Sequence, residues 1–168
     1  MAEFTDLEQV WMVVSPHNPL KPVGELLQDY QRLKLVKLAI GGYTKIKASD
    51  VEFGMPKPSY TINTLEHLTK KYPQHTFALI IGSDNLQVFD KWKNYEEILD
   101  RHQLYVYPRM QSGTDKIMEH KNIKIISAPV IEISSTFIRN SIKQKKDVRH
   151  FLPPAVFEYI EDLGFYEK

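Results

Sequence analysis

Apolar and polar positions alternate between two periods along this chain. Gln9-Val-Trp-Met-Val-Val-Ser15 is continuous and β-branched, the pattern of a buried strand. Pro16, Pro19 and Pro22 then force a loop. Leu26, Leu27, Tyr30, Leu33, Val36 and Ile40 recur at helical spacing, and Gly41-Gly42 ends that helix. Tyr43–Phe53 alternates as a second strand, broken by Gly54, Pro56 and Pro58. Ser59 or Thr61 is placed to cap a helix that carries Ile62, Leu65 and Leu68. Phe77-Ala-Leu-Ile-Ile81 reads as a third buried strand closed by Gly82, and an irregular helical stretch follows to about Asp100. Gln103–Tyr107 and Ile123–Ala128 are the fourth and fifth strands. Ser134 or Ser135 caps a helix through Ile142, and Pro153-Pro154 opens a last helix that ends near Gly164.

This alternation predicts an α/β fold, a doubly wound parallel sheet with helices on both faces, in one domain over residues 1–168. Composition agrees: 42% apolar and 26% charged residues suit one globular core. Cysteine is absent, which excludes disulfides, thiolate nucleophiles and cysteine-ligated zinc. The histidines show no metal-ligand spacing. Lys and Arg number 22 against 21 Asp and Glu, so the net charge of +1 argues against a general nucleic-acid binder. No apolar run is long enough for a membrane span and no basic-then-apolar leader opens the chain, so the expectation is a cytoplasmic protein without nucleic-acid or membrane partners. Self-association into a homo-oligomer is left open.

In open parallel sheets, ligands sit beyond the carboxyl ends of the strands. Several chemistry-bearing segments fall there. Ser134-Ser-Thr-Phe-Ile-Arg139 puts hydroxyls and free amides at a helix start, with the Arg139 fork one turn on, a pattern suited to an anion. A cap with a surface arginine is the plain alternative. Gly82-Ser83-Asp84 lets a ligand approach the backbone and offers a carboxylate to ribose hydroxyls, or is a turn. Trp92 between Lys91 and Lys93 suits stacking on a heteroaromatic ring, or anchors a helix. Ser59-Tyr-Thr-Ile-Asn-Thr-Leu65 offers the Thr61 hydroxyl and helix-start amides to a carboxylate or phosphate, or simply caps. His17 and Lys21 lie in the loop after the first strand, where either could meet a phosphate. Lys143–Arg149 reads as a solvated turn. Neither Gly-x-Gly-x-x-Gly nor a Walker loop is present.

In this order, Ser15-Pro-His-Asn-Pro-Leu-Lys21, Ser59-Tyr-Thr-x-x-Thr-Leu65, Gly82-Ser-Asp-Asn-Leu86 with Trp92, and Ile133-Ser-Ser-Thr-x-Ile-Arg139 resemble the bacterial nicotinate-nucleotide adenylyltransferases of the nucleotidyltransferase superfamily. The resemblance implies a Rossmann-like fold. It implies transfer of the adenylyl group of ATP to nicotinate mononucleotide, with Mg²⁺ held through the ATP phosphates. Ser135, Thr136 and Arg139 would hold those phosphates, Arg139 countering charge in the transition state. Gly82 and Asp84 would meet the adenosine ribose. Trp92 would stack on the pyridine ring, Thr61 would meet the nicotinate carboxylate, and Lys21 the nucleotide phosphate.

One piece of the family pattern is absent: an opening strand, a Gly-x-Phe-x-Pro-x-His-x-Gly-His loop and a helix, of which Met1-Ala-Glu-Phe4 resembles the last turn. The expectation is an N-terminally truncated domain short of about 20–25 residues, one strand–loop–helix unit. The first strand of a doubly wound sheet is central. The chain as written is therefore expected to be inactive or weakly active. Two alternatives stand beside this reading: a non-catalytic nucleotide-binding remnant, and a related enzyme such as pantetheine-phosphate adenylyltransferase.

Overall fold

The computed structural model describes residues 1–17, 26–109 and 119–167. Five short parallel strands alternate with helices: β1 (Val10–Val13), α1 (Asp29–Ile40), β2 (Ile46–Ser49), α2 (Thr61–Lys71), β3 (Leu79–Gly82), α3 (Ser83–Leu86), α4 (Tyr95–Arg101), β4 (Leu104–Tyr107), β5 (Ile123–Ile125), α5 (Ser135–Lys143) and α6 (Pro154–Asp162). Among the described residues no helix is long and apolar enough to cross a membrane.

The strands do not form one sheet. β1 pairs with β2 from Val10↔Ile46 to Val13↔Ser49. β3 pairs with β4 from Leu79↔Leu104 to Gly82↔Tyr107, and β4 with β5. Among the described residues no ladder joins β1 to β3. They are nevertheless near neighbours: the Trp11 ring on β1 meets the Phe77 ring, two residues before β3, edge-on at 5.6 Å between centroids. Thus the continuous doubly wound sheet expected from the alternation is interrupted between these two strands.

Packing differs across the break. Around β3 and β4 lies a dense cluster that includes Ile62, Leu65, Ile81, Leu86, Phe89, Ile98, Leu104 and Val106, with Phe89, Ile98 and Leu104 fully buried. Burial of apolar surface there is worth about 20–33 cal/mol for each Å² removed from water. On the other side α1 buries no residue completely, and Met12 on β1 is 47% exposed. A second, smaller cluster of Val156, Ile160 and Phe165 ties α6 to Leu35 and Leu38 of α1.

Three local expectations need correction. The second strand stops at Ser49 instead of running to Phe53, because Val51–Gly54 closes as a tight 3-10 turn, with Phe53 N–H donating to Asp50 C=O at 2.9 Å. That turn buries Glu52, whose Oε1 accepts the Thr64 hydroxyl at 2.7 Å. Neither Ser59 nor Thr61 caps α2: its N-cap is Tyr60, without a side-chain cap. The fifth strand ends at Ile125. By contrast, Ser134 Oγ does cap α5, accepting Phe137 N–H at 3.1 Å, and Gly41 ends α1 at φ 57°, a conformation glycine adopts without strain.

The first residues are tied across β4 and β5. The Tyr105 hydroxyl donates to Asp6 Oδ1 at 2.6 Å and Lys124 Nζ to Oδ2 at 3.1 Å. The Tyr105 hydroxyl and the Lys124 ammonium hold the Asp6 carboxyl below the usual carboxylate range. A depressed carboxyl stabilises the fold above its unfolded pKa of about 3.9, and that contribution is lost as pH falls through the lower folded value. Melts taken from neutral pH downwards will therefore show a steeper loss of Tm below about pH 4 in the unsubstituted chain than in Asp6→Asn. Equal acid slopes would remove this contact from the account.

Candidate active site

Each group of candidate residues stands where a strand or short link hands over to a helix. At the end of β3, Gly82 has an extended backbone (φ −76°, ψ 152°), so its small size, not its dihedral freedom, matters. A Cβ there would run into Asp84 Oδ1 and lie 3.1 Å from Arg109 Nε. Ser83 is buried, and its Oγ accepts the Arg109 backbone N–H at 2.8 Å. Asp84 itself is 51% exposed, with Oδ1 3.4 Å from Arg109 Nε. The β3 and β4 ends thus form one unit of Gly82, Ser83, Asp84 and Arg109. Sequence reading missed Arg109, although it lies two residues past β4, where the strand-end rule already pointed.

A second group joins Trp92 to the α2 start. Trp92 packs on Phe89 at 5.2 Å between centroids, tilted by 49°, and sits against the main cluster. The plain alternative, a partly buried anchor, is therefore part of its role. Its indole N–H is buried and has no acceptor among the described residues. A buried donor of this kind costs free energy unless another group accepts from it. Next to it, Lys93 Nζ lies 4.5 Å from the centre of the Tyr60 ring, which packs on the same cluster. Tyr60 precedes Thr61, and the first-turn amides of α2 have no side-chain cap. Ser59 N–H donates to His17 C=O at 3.0 Å, which brings the loop after β1 to the same place. Lys21 lies outside the described residues.

The third group is the α5 start. Ser134 is consumed as the cap. Ser135 and Thr136 are exposed, and half-buried Arg139 donates through Nη2 to Thr136 Oγ1 at 3.2 Å. Hydroxyl and guanidinium therefore already converge one turn into the helix, at the end that favours anions. Burial pushes the Tyr166 phenol up, against the opposing charges of Arg139 and Arg32. Among the described residues, no hydrogen bond or ion pair joins Arg139 to Gly82, Asp84 or Trp92. The β3–β4 group lies at strand ends, the α5 start follows a longer link after β5, and among the described residues no bond joins the two.

The basic stretch expected to be a solvated turn is mostly exposed, apart from buried Val148. With Ile142, Phe157 and Phe165 it lines a cleft of about 480 Å³ that contains none of the site residues above. Among the described residues, no group of three or more His, Cys, Asp and Glu side chains is placed to hold a metal ion.

Parallel strands alternating with helices, with candidate residues just past the ends of β3 and β4, make a Rossmann-like α/β fold. Residues 2–141 match the cytidylyltransferase-like family. The chain is 57% identical over 170 residues to a Flavobacterium johnsoniae protein named "Probable nicotinate-nucleotide adenylyltransferase", covering 100% of this chain and 88% of that relative. A Cytophaga hutchinsonii protein of the same name is 50% identical over 166 residues, covering 99% of this chain and 86% of the relative. In structure, the Plasmodium falciparum nicotinic acid mononucleotide adenylyltransferase complexed with NaAD superposes with a TM-score of 0.79 at 18% identity, covering 99% of this chain and 87% of that one, a likeness of fold. The chain belongs to the nicotinate-nucleotide adenylyltransferase family.

Proposed function

We propose that this site transfers the adenylyl group of ATP to nicotinate mononucleotide, giving nicotinate adenine dinucleotide and pyrophosphate, a step of NAD biosynthesis. A phosphate oxygen of the mononucleotide attacks the ATP α-phosphorus. The bond from that phosphorus to the bridging oxygen breaks, and its electron pair leaves with pyrophosphate. No protein nucleophile is needed, so catalysis rests on positioning and charge neutralisation. The observation that carries this reading is the Arg139–Thr136 pairing at the capped start of α5.

In this reading Ser135, Thr136 and Arg139 hold the triphosphate, with Arg139 meeting the charge that moves to the leaving pyrophosphate. Gly82 admits the adenosine and Asp84 accepts its ribose hydroxyls. The pyridine ring stacks on Trp92, its carboxylate meets Thr61 and the uncapped amides of α2, and Lys21 takes the mononucleotide phosphate. A Mg²⁺ ion bound together with ATP would supply further charge neutralisation beside Ser135, Thr136 and Arg139. The protein works without a membrane or nucleic-acid partner, in the cytoplasm.

Trp92 gives a direct test of the acceptor half. Trp92→Ala will weaken binding of nicotinate mononucleotide about tenfold, the scale of an aromatic stacking contact, and leave ATP binding unchanged; Trp92→Phe will keep most of the affinity. Equal losses for both nucleotides, read by equilibrium dialysis, would contradict the assignment.

The break in the sheet supports a further part of the reading. Among the described residues β1 and β3 each have one edge without a strand partner, and a further parallel strand between them would pair with both.

A further inference from the structure

We infer that Arg109 is a positioning residue for nucleotide recognition: it holds the Asp84 carboxylate in the orientation that meets the ribose hydroxyls. The inference rests on the reading of Asp84 as the ribose acceptor and extends it to a residue on the neighbouring strand.

The geometry is specific to this corner. Asp84 belongs to the four-residue α3 and is half exposed, so its short side chain has several rotamers open to it. Two neighbours narrow that choice. The bare Cα of Gly82 leaves room for Oδ1 directly above it, space a methyl group would occupy. From the other side Arg109 Nε lies 3.4 Å from the same oxygen. Arg109 is itself anchored, since its backbone N–H donates to the Oγ of buried Ser83 at 2.8 Å. That bond crosses from the end of β4 to the end of β3 and adds a side-chain link to the ladder at Gly82↔Tyr107. One anchored cation therefore engages Oδ1, and the rest of the carboxylate stays directed to solvent, where a diol can donate to it. Exposed ion pairs of this kind add little to stability. Their value here is geometric, in restricting a ligand-binding group before the ligand arrives.

The test pairs two nucleotides with two positions. ATP and 2′,3′-dideoxy-ATP differ only in the hydroxyls that Asp84 is read to accept. Equilibrium dialysis of the purified chain should show tighter binding of ATP. Arg109→Met should cut that preference about fivefold while leaving the dideoxy affinity unchanged, and Arg109→Lys, which keeps the charge, should retain the preference. Asp84→Asn should abolish it. A merely structural role for Arg109 would weaken both nucleotides alike, and that result overturns the inference. A full ATP preference in Arg109→Met overturns it as well. If Asp84→Asn abolishes the preference and Arg109→Met does not, only the role of Arg109 fails. An unchanged preference in Asp84→Asn, or equal binding of both nucleotides by the unsubstituted chain, removes the ribose reading itself.

Discussion

Extending the chain ahead of Met1 by a strand–loop–helix segment of about 20–25 residues that carries Gly-x-Phe-x-Pro-x-His-x-Gly-His will raise its pyrophosphate release at least about a thousandfold. Two effects add. An inserted strand would pair with β1 and β3, which no ladder joins among the described residues, and would fix the distance between the His17 loop and the Gly82–Asp84 turn. An error of about 1 Å in such a distance costs on the order of a hundredfold in rate. The loop also brings two histidines to the triphosphate, and one preorganised donor at developing charge is worth about a hundred- to a thousandfold. Protection of the β1 amides from hydrogen exchange should rise in parallel, because the open edge becomes a central strand. Equal turnover by the 168-residue chain and the extended one would overturn the proposed strand.

In the extended chain, Arg139→Ala will lower kcat by two to three orders of magnitude, with a smaller change in KM for ATP. The guanidinium is placed by the α5 start and by its bond to Thr136, and its charge gains most when the pyrophosphate leaves. Arg139→Lys will recover only part of the loss, because an ammonium cannot reproduce the planar fork. Among the described residues the one hydrogen bond of its side chain is to its own helix, so Tm should change little. A kcat within about threefold of the unsubstituted enzyme would place the transition-state charge elsewhere.

Much of this was legible in the chain itself. Ser134 or Ser135 marked the start of α5, and Ser134 proved to be the cap; Gly41-Gly42 marked the end of α1, and the apolar runs around Ile81 and Val106 the two strands of the main core. Periodicity was weakest where short-range bonds compete with it. The apolar alternation continues to Phe53, but a 3-10 turn takes the chain out of the sheet after Ser49. Ser59 and Thr61 carry capping hydroxyls, yet the helix leaves its first amides uncapped at the place assigned to the substrate carboxylate. Long-range pairings were invisible: nothing in the neighbourhood of Arg109 announces Asp84, 25 positions away, and nothing local tells Trp92 that Tyr60 shares its cluster.

The central claim is adenylyl transfer to nicotinate mononucleotide. Its most direct test is pyrophosphate release by the extended chain from Mg-ATP, with nicotinate mononucleotide and phosphopantetheine offered separately as acceptors. The account predicts release with nicotinate mononucleotide and none with phosphopantetheine. Release with phosphopantetheine alone, or with neither acceptor, would contradict it.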